Sequence, residues 1–138
     1  MSFSTEIKEF SVESEKRFLR IKKAVVLALF SKVILRTPVL TGQLRYNWFT
    51  TLDKPSSLFF PLEEGEITAG EATNTAMKGV RNTSKLIKAN DSVWLTNNMP
   101  YAERIEFDGW SHTKAPAGMV RVSFLEIINK LDTLIDAT

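Results

Sequence analysis

The chain contains no cysteine. That excludes disulfide scaffolds, cysteine-ligated zinc sites and thiol catalysis. It has one histidine, His112, so histidine-rich metal sites are excluded too. His112 lies in a turn-like Ser-His-Thr-Lys stretch and is read as solvated rather than catalytic. Glycine is scarce, six in 138 residues, and neither a phosphate-cradling loop nor a dinucleotide fingerprint is present. An excess of one charge sign is also lacking: 18 Lys+Arg face 16 Asp+Glu, a net of +2. A sequence-specific reader of nucleic acid normally carries more positive charge and a recognisable motif. No apolar run approaches the ~20 residues needed to cross a bilayer. The longest, 24–35, is broken by Ser31 and Lys32. Residues 1–8 are polar and carry both charge signs, unlike a signal peptide. The expectation is a protein of a reducing cytoplasm, with no membrane partner, no metal, no cofactor and no enzymatic activity.

What is present is ordinary globular material: 43% apolar and 25% charged residues over the length of one domain, 1–138. The charge is arranged in blocks. Residues 1–36 hold eight Lys/Arg against four Glu, residues 53–71 one Lys against five acids, and residues 78–90 four bases and no acid. Blocks of opposite sign suit a chain that meets other copies of itself. The bases Lys16, Arg17, Arg20, Lys22 and Lys23 also suit loose, non-specific contact with DNA, such as lining a channel.

Ile7, Phe10, Phe18, Ile21, Val25 and Leu29 recur at three- and four-residue steps, with only Ser14 filling one slot, which predicts a long first helix. Its glutamates lie toward the N-terminal end and its later bases toward the C-terminal end, matching the helix dipole. Its second half is apolar nearly all round and must be covered on more than one side. Thr37-Pro38 stops it, Thr41-Gly42 turns the chain, and residues 43–47 form one helical turn. Residues 48–52 and 93–96 read as strands. Residues 53–70 read as a loop, in which Leu58, Phe59 and Phe60 either form a contact surface or fold back on the core. Residues 69–88 read as a helix, 101–107 as a short helix or extended turn, and Ala115-Pro116 as the opening of a last helix. Val120, Phe124, Ile127, Ile128, Leu131, Leu134 and Ile135 mark one apolar stripe along it. Glu103-Arg104-Glu106 reads as surface charge. The order implies an α+β fold: a long N-terminal and a C-terminal helix packed on a small, mainly antiparallel β-sheet, with a long variable central loop.

Three ordered blocks carry a resemblance. The first is Leu35-Arg36-Thr37-Pro38-Val39-Leu40-Thr41-Gly42-Gln43-Leu44-Arg45-Tyr46-Asn47-Trp48. The second is Leu95-Thr96-Asn97-Asn98-Met99-Pro100-Tyr101-Ala102. The third runs from Ile105-Glu106-Phe107 through Gly109-Trp110-Ser111 to Lys114-Ala115-Pro116-Ala117-Gly118-Met119-Val120-Arg121. Together they resemble the small neck and tail-completion (head–tail joining) proteins of long-tailed bacteriophages. Leu40 and Gln43 stand where Asp and Arg are commoner in that family. The resemblance implies a structural virion protein at the head–tail interface, assembled in the host cytoplasm. It implies a homo-oligomeric, hexameric ring that contacts other neck and tail proteins. The alternatives are a tail terminator ring or a non-enzymatic protein-binding module of the same fold. The fold motif would be Thr37, Pro38, Thr41, Gly42, Trp48, Asn97, Asn98, Pro100, Tyr101, Pro116 and Gly118. A closed ring needs two different patches per subunit. The candidate faces are Leu58, Phe59, Phe60, Glu63, Glu64 and Glu66 on one side and Lys78, Arg81, Lys85 and Lys88 on the other, in a projecting 53–90 region.

Overall fold

A computed structural model describes residues 2–39, 41–63, 66–108, 115 and 117–138. Leu40, Glu64, His112, Pro116 and the Gly109-Trp110-Ser111 turn lie outside the described residues.

Helix α1, Phe3–Arg36, runs 34 residues, ~50 Å at 1.5 Å per residue. The Ser2 hydroxyl caps its N-terminus by accepting from the Thr5 N–H. Only the C-terminal half packs: Val26, Phe30, Val33 and Ile34 are buried, whereas residues 2–18 are all exposed. The stripe that runs through Ile7, Phe10 and Phe18 is therefore not the face that meets the core. Because the second half is apolar all round, periodicity alone could not select the buried side. The core takes the side bearing Val26 and Phe30. The stripe side, at Lys32 and Arg36, is met instead by the C-terminal helices.

Gly42 adopts a left-handed backbone, φ 85°, as the chain turns into the single-turn α2, Gln43–Tyr46. A side chain there would press on Ile67 and Ala72. Strand β1, Trp48–Leu52, pairs antiparallel with β2, Val93–Asn97, with Trp48 opposite Asn97 and Leu52 opposite Val93. Trp48, Leu52, Val93 and Leu95 join the core; Trp94 points outward.

Between the strands lies α3, Ala69–Ser84, opened by a Thr68/Glu71 capping box. It buries Ala72, Ala76 and Val80, small side chains that let it lie close against α1, α2 and β1. This half of the 53–90 stretch is thus a wall of the core and does not project. The helix ends at Ser84, short of residue 88. There Asp91 takes the Lys88 N–H, and the Lys22 ammonium gathers the carbonyls of Lys88, Ala89 and Asp91. Lys22 is thereby spent inside the fold rather than left for an outside anion.

After β2 the Asn97 side chain accepts the Met99 N–H, turning the chain into α4, Ala102–Phe107. The last helix starts at Val120, not at Pro116, and is interrupted at Lys130. This gives α5, Val120–Asn129, and α6, Leu131–Asp136. Its apolar residues do not form one buried stripe: Ile127 is buried, while Phe124, Leu125 and Ile128 face solvent. Lys32 and Arg36 of α1 both bind Glu126, and Arg36 also donates to Ser123 Oγ, which docks α5 on α1. The result is an α+β fold, helix-rich with one two-stranded antiparallel sheet.

Candidate functional site

Thr37, Arg45 and Trp48 of the first block meet at the end of α1. Thr37 Oγ1 donates to the Val33 carbonyl at 2.7 Å and accepts the Trp48 indole N–H at 2.8 Å, with both side chains buried. Arg45 reaches back from α2 to donate to the carbonyls of Leu35 (3.0 Å) and Thr37 (2.6 Å) and to Thr73 Oγ1 (2.9 Å). A cation thus satisfies the end of α1, where the carbonyls lack helical partners. Burial pushes the guanidinium's pKa down from its ordinary value.

A second layer holds the loop after β1. Buried Asn47 accepts the Phe60 N–H (2.7 Å) and donates to the Phe60 carbonyl (2.8 Å), so one amide matches the backbone of a residue thirteen positions on. Asn98 donates to the carbonyls of Ser56 (2.9 Å) and Leu58 (3.0 Å). Asn97 donates to the Leu44 carbonyl at 2.8 Å. The Phe60 ring meets Phe49 (centroids 5.8 Å) and stands edge-on to Tyr46 (6.5 Å). Residues 56–60 therefore form a strap tied across the outer side of the sheet and make no strand. Leu58, Phe59 and Phe60 keep 53%, 40% and 47% of their surface in solvent. The loop's backbone is anchored on the core while these side chains remain largely outside.

The charged candidates are placed at the two ends of α3. Glu63 and Glu66 are exposed just before its N-terminus, with the Glu66 carboxylate accepting the Glu63 N–H. Lys78, Arg81, Lys85 and Lys88 are exposed along and beyond its C-terminal half. The two groups stand on the order of 20 Å apart along the helix axis. The structure therefore does not bring them into one site. Pro100 is exposed and Tyr101 half-buried at the entry to α4, where burial raises the Tyr101 phenol's pKa.

Glu106 is the residue that sequence reasoning missed. Instead of lying on the surface it is only 7% exposed. Its carboxylate accepts the backbone N–H groups of Met119 (2.6 Å), Val120 (2.8 Å) and Arg121 (2.9 Å), and the Arg121 side-chain Nε–H (3.2 Å). This caps α5 from another element and fixes where that helix begins. Gly118, at φ 89°, makes the approach possible: a Cβ there would stand 2.6 Å from the Glu106 carbonyl oxygen and 3.0 Å from its carboxylate. The motif glycine thus serves contact within the chain. The Arg121 guanidinium also lies 4.8 Å from the centre of the Phe107 ring. Burial pushes the Glu106 carboxyl up, but the three backbone donors and Arg121 outweigh it and hold its pKa below the ordinary carboxylate value. A carboxylate so saturated stays ionised and carries no proton for acid–base chemistry. The one local signal was Gly118-Met119-Val120, a glycine immediately before a helix.

An open pocket of about 360 Å³ lies beside this junction, with Trp94, Thr96, Glu103, Glu106 and Val120 in its wall. Its carboxylate at Glu106 is already committed, and among the described residues no nucleophile–base pair lines it. Among the described residues no three or more His, Asp or Glu side chains gather as they would around a metal ion. No helix among them is long and apolar enough to cross a membrane. No family model matches the chain, and no curated protein and no solved structure is significantly similar to it.

Proposed function

We propose that the chain is a structural protein of the phage neck or tail top that works by fitting against other subunits. In this reading it forms a ring at the head–tail interface and resides in the virion after assembly in the host cytoplasm. The observation that carries the proposal is the amount and placement of apolar surface left outside. Seventeen large apolar side chains among the described residues are exposed. Twelve of them fall on three separate elements: the N-terminal half of α1, the 58–60 strap, and the outer face of α5. Soluble monomers rarely leave contiguous apolar patches of this kind uncovered. Two different patches on one subunit are what head-to-tail ring closure needs. The Thr37–Arg45–Trp48 junction, built from the residues that carry the resemblance, also supports it. That junction sets the angle at which the long helix leaves the sheet.

Electron microscopy of purified virions from the encoding phage, with this chain located in the map, tests the proposal. The expected result is a closed ring of copies between capsid and tail. Particles that lack the chain, and that form normally when its gene carries a stop codon, overturn it.

A further inference from the structure

We infer that the exposed first half of α1, residues 3–18, is a self-pairing arm that packs antiparallel against the same segment of a second copy of this chain. Phe3, Ile7, Phe10, Ser14, Phe18 and Ile21 follow one another at three- and four-residue steps, so they share one side of the helix. Phe3 is 77% exposed, Phe10 75% and Phe18 54%. A helical segment of about sixteen residues is marginal in water unless an apolar face is covered.

Two features identify the cover. The first is continuity. Continued toward the C-terminus, the same stripe passes Val25 and Leu29 to Lys32 and Arg36, where the chain's own α5 is clamped through Glu126. The face that takes a helix there runs on uncovered for the length of the arm.

The second is charge. Residues 3–15 hold Glu6, Glu9, Glu13 and Glu15 against Lys8 alone, a net of −3. Residues 16–23 hold Lys16, Arg17, Arg20 and Lys23 free for such contact and no acid, Lys22 being engaged by the carbonyls of Lys88, Ala89 and Asp91. Antiparallel packing lays each acidic half on a basic half, whereas parallel packing sets like on like. With Phe3 opposite Ile21 of the other copy, and Ile7 beside its Phe18, Glu6 and Arg17, which border the stripe on the same side, become neighbours across the pair. The two-fold repeats that contact. Covering three phenylalanines and an isoleucine on each arm removes on the order of 1,000 Å² in all, the lower bound for a specific interface. This pairing stands independently of the virion reading, since a two-fold contact joins protomers in pairs and closes no ring.

Sedimentation equilibrium on the purified full chain, over a range of concentrations, tests the inference. Phe10→Glu should leave the melting curve in place, because the side chain is three-quarters exposed and lies outside the core, and abolish pairing. Glu6→Lys and Arg17→Glu should each raise the dissociation constant about tenfold. The double exchange Glu6→Lys/Arg17→Glu should restore it to within about threefold of the parent chain. A chain that stays monomeric at high micromolar concentration, pairing that survives Phe10→Glu, or a double exchange that fails to restore binding overturns the arm pairing. None of these results touches the location of the chain in the particle.

Discussion

At Thr37 two elements depend on one oxygen. Its hydroxyl closes α1 on the Val33 carbonyl and receives the Trp48 indole N–H. Thr37→Val keeps the shape but strands that N–H in a site with no water access. The expected loss is about 1–3 kcal/mol, seen calorimetrically as a fall in Tm of roughly 3–10 °C for a domain of this size. An unchanged Tm would mean the indole finds another acceptor. Glu106 carries a pH-dependent counterpart. Its carboxyl is held below the ordinary value in the fold. Its contribution is therefore complete above the unfolded-state pKa, about 4.3. That contribution fades as pH falls through the lower folded value. Glu106→Gln should cost about 2 kcal/mol at neutral pH and reduce the slope of stability against pH below about 4.3. Glu126, held low by hydrogen bonds from Arg36 and Lys32, titrates in the same direction, so the slope is reduced rather than lost. Urea denaturation at a series of pH values checks both parts. Equal slopes in the two proteins would remove Glu106 from the acid response.

At the scale of elements, the strap at residues 56–60 is held by side-chain amides, not by a ladder. Asn98 is exposed and acts only on the carbonyls of Ser56 and Leu58. Asn98→Ala should open the strap locally while the core stays closed. Each net hydrogen bond is worth about 1 kcal/mol, so chymotrypsin cleavage after Phe59 should rise about tenfold or more. The global melt should move by less than about 3 °C. Cleavage at the parental rate would show that Asn47 and the Phe60 ring hold the strap without help. The same element shows what a sequence conceals. Strands β1 and β2, the α2 turn and the stop at Thr37-Pro38 were legible, because propensity and turn chemistry act within a few residues. The start of α5 was not legible. Its cap is Glu106, thirteen residues before Met119 and on another helix, while the proline that suggested a start lies upstream. The inward face of α1 was hidden for a different reason: residues 24–35 are apolar on every side, so partners rather than periodicity choose what is buried. The candidate interface residues were legible as exposed apolar and charged groups, but their separation along α3 was not.

For the whole molecule, charge and apolar surface are laid out unequally. The loop between the strap and α3 is acidic, and the C-terminal half of α3 with the following turn is basic. The exposed Leu58, Phe59 and Phe60 sit beside the first of these. One subunit's basic end can thus meet the acidic loop before α3 of the next in a head-to-tail arrangement. Reversing Lys85 and Lys88 together tests that geometry at little cost to the fold. Both side chains are exposed. The contacts at Lys88 run through its backbone, whose carbonyl accepts from Lys22 and whose N–H donates to Asp91. A glutamate at Lys85, the C-cap of α3, opposes the helix dipole by about 0.5 kcal/mol. The double variant should melt within about 3 °C of the parent yet enter particles poorly. Raising the ionic strength should weaken assembly of the parent chain as well, since contacts between exposed charges are screened beyond ~10 Å at 0.1 M salt. Counting copies per purified virion by quantitative mass spectrometry reads the outcome. Particles with a full complement of the reversed chain would show that neighbours are joined through apolar surface alone, with the basic block merely solvated.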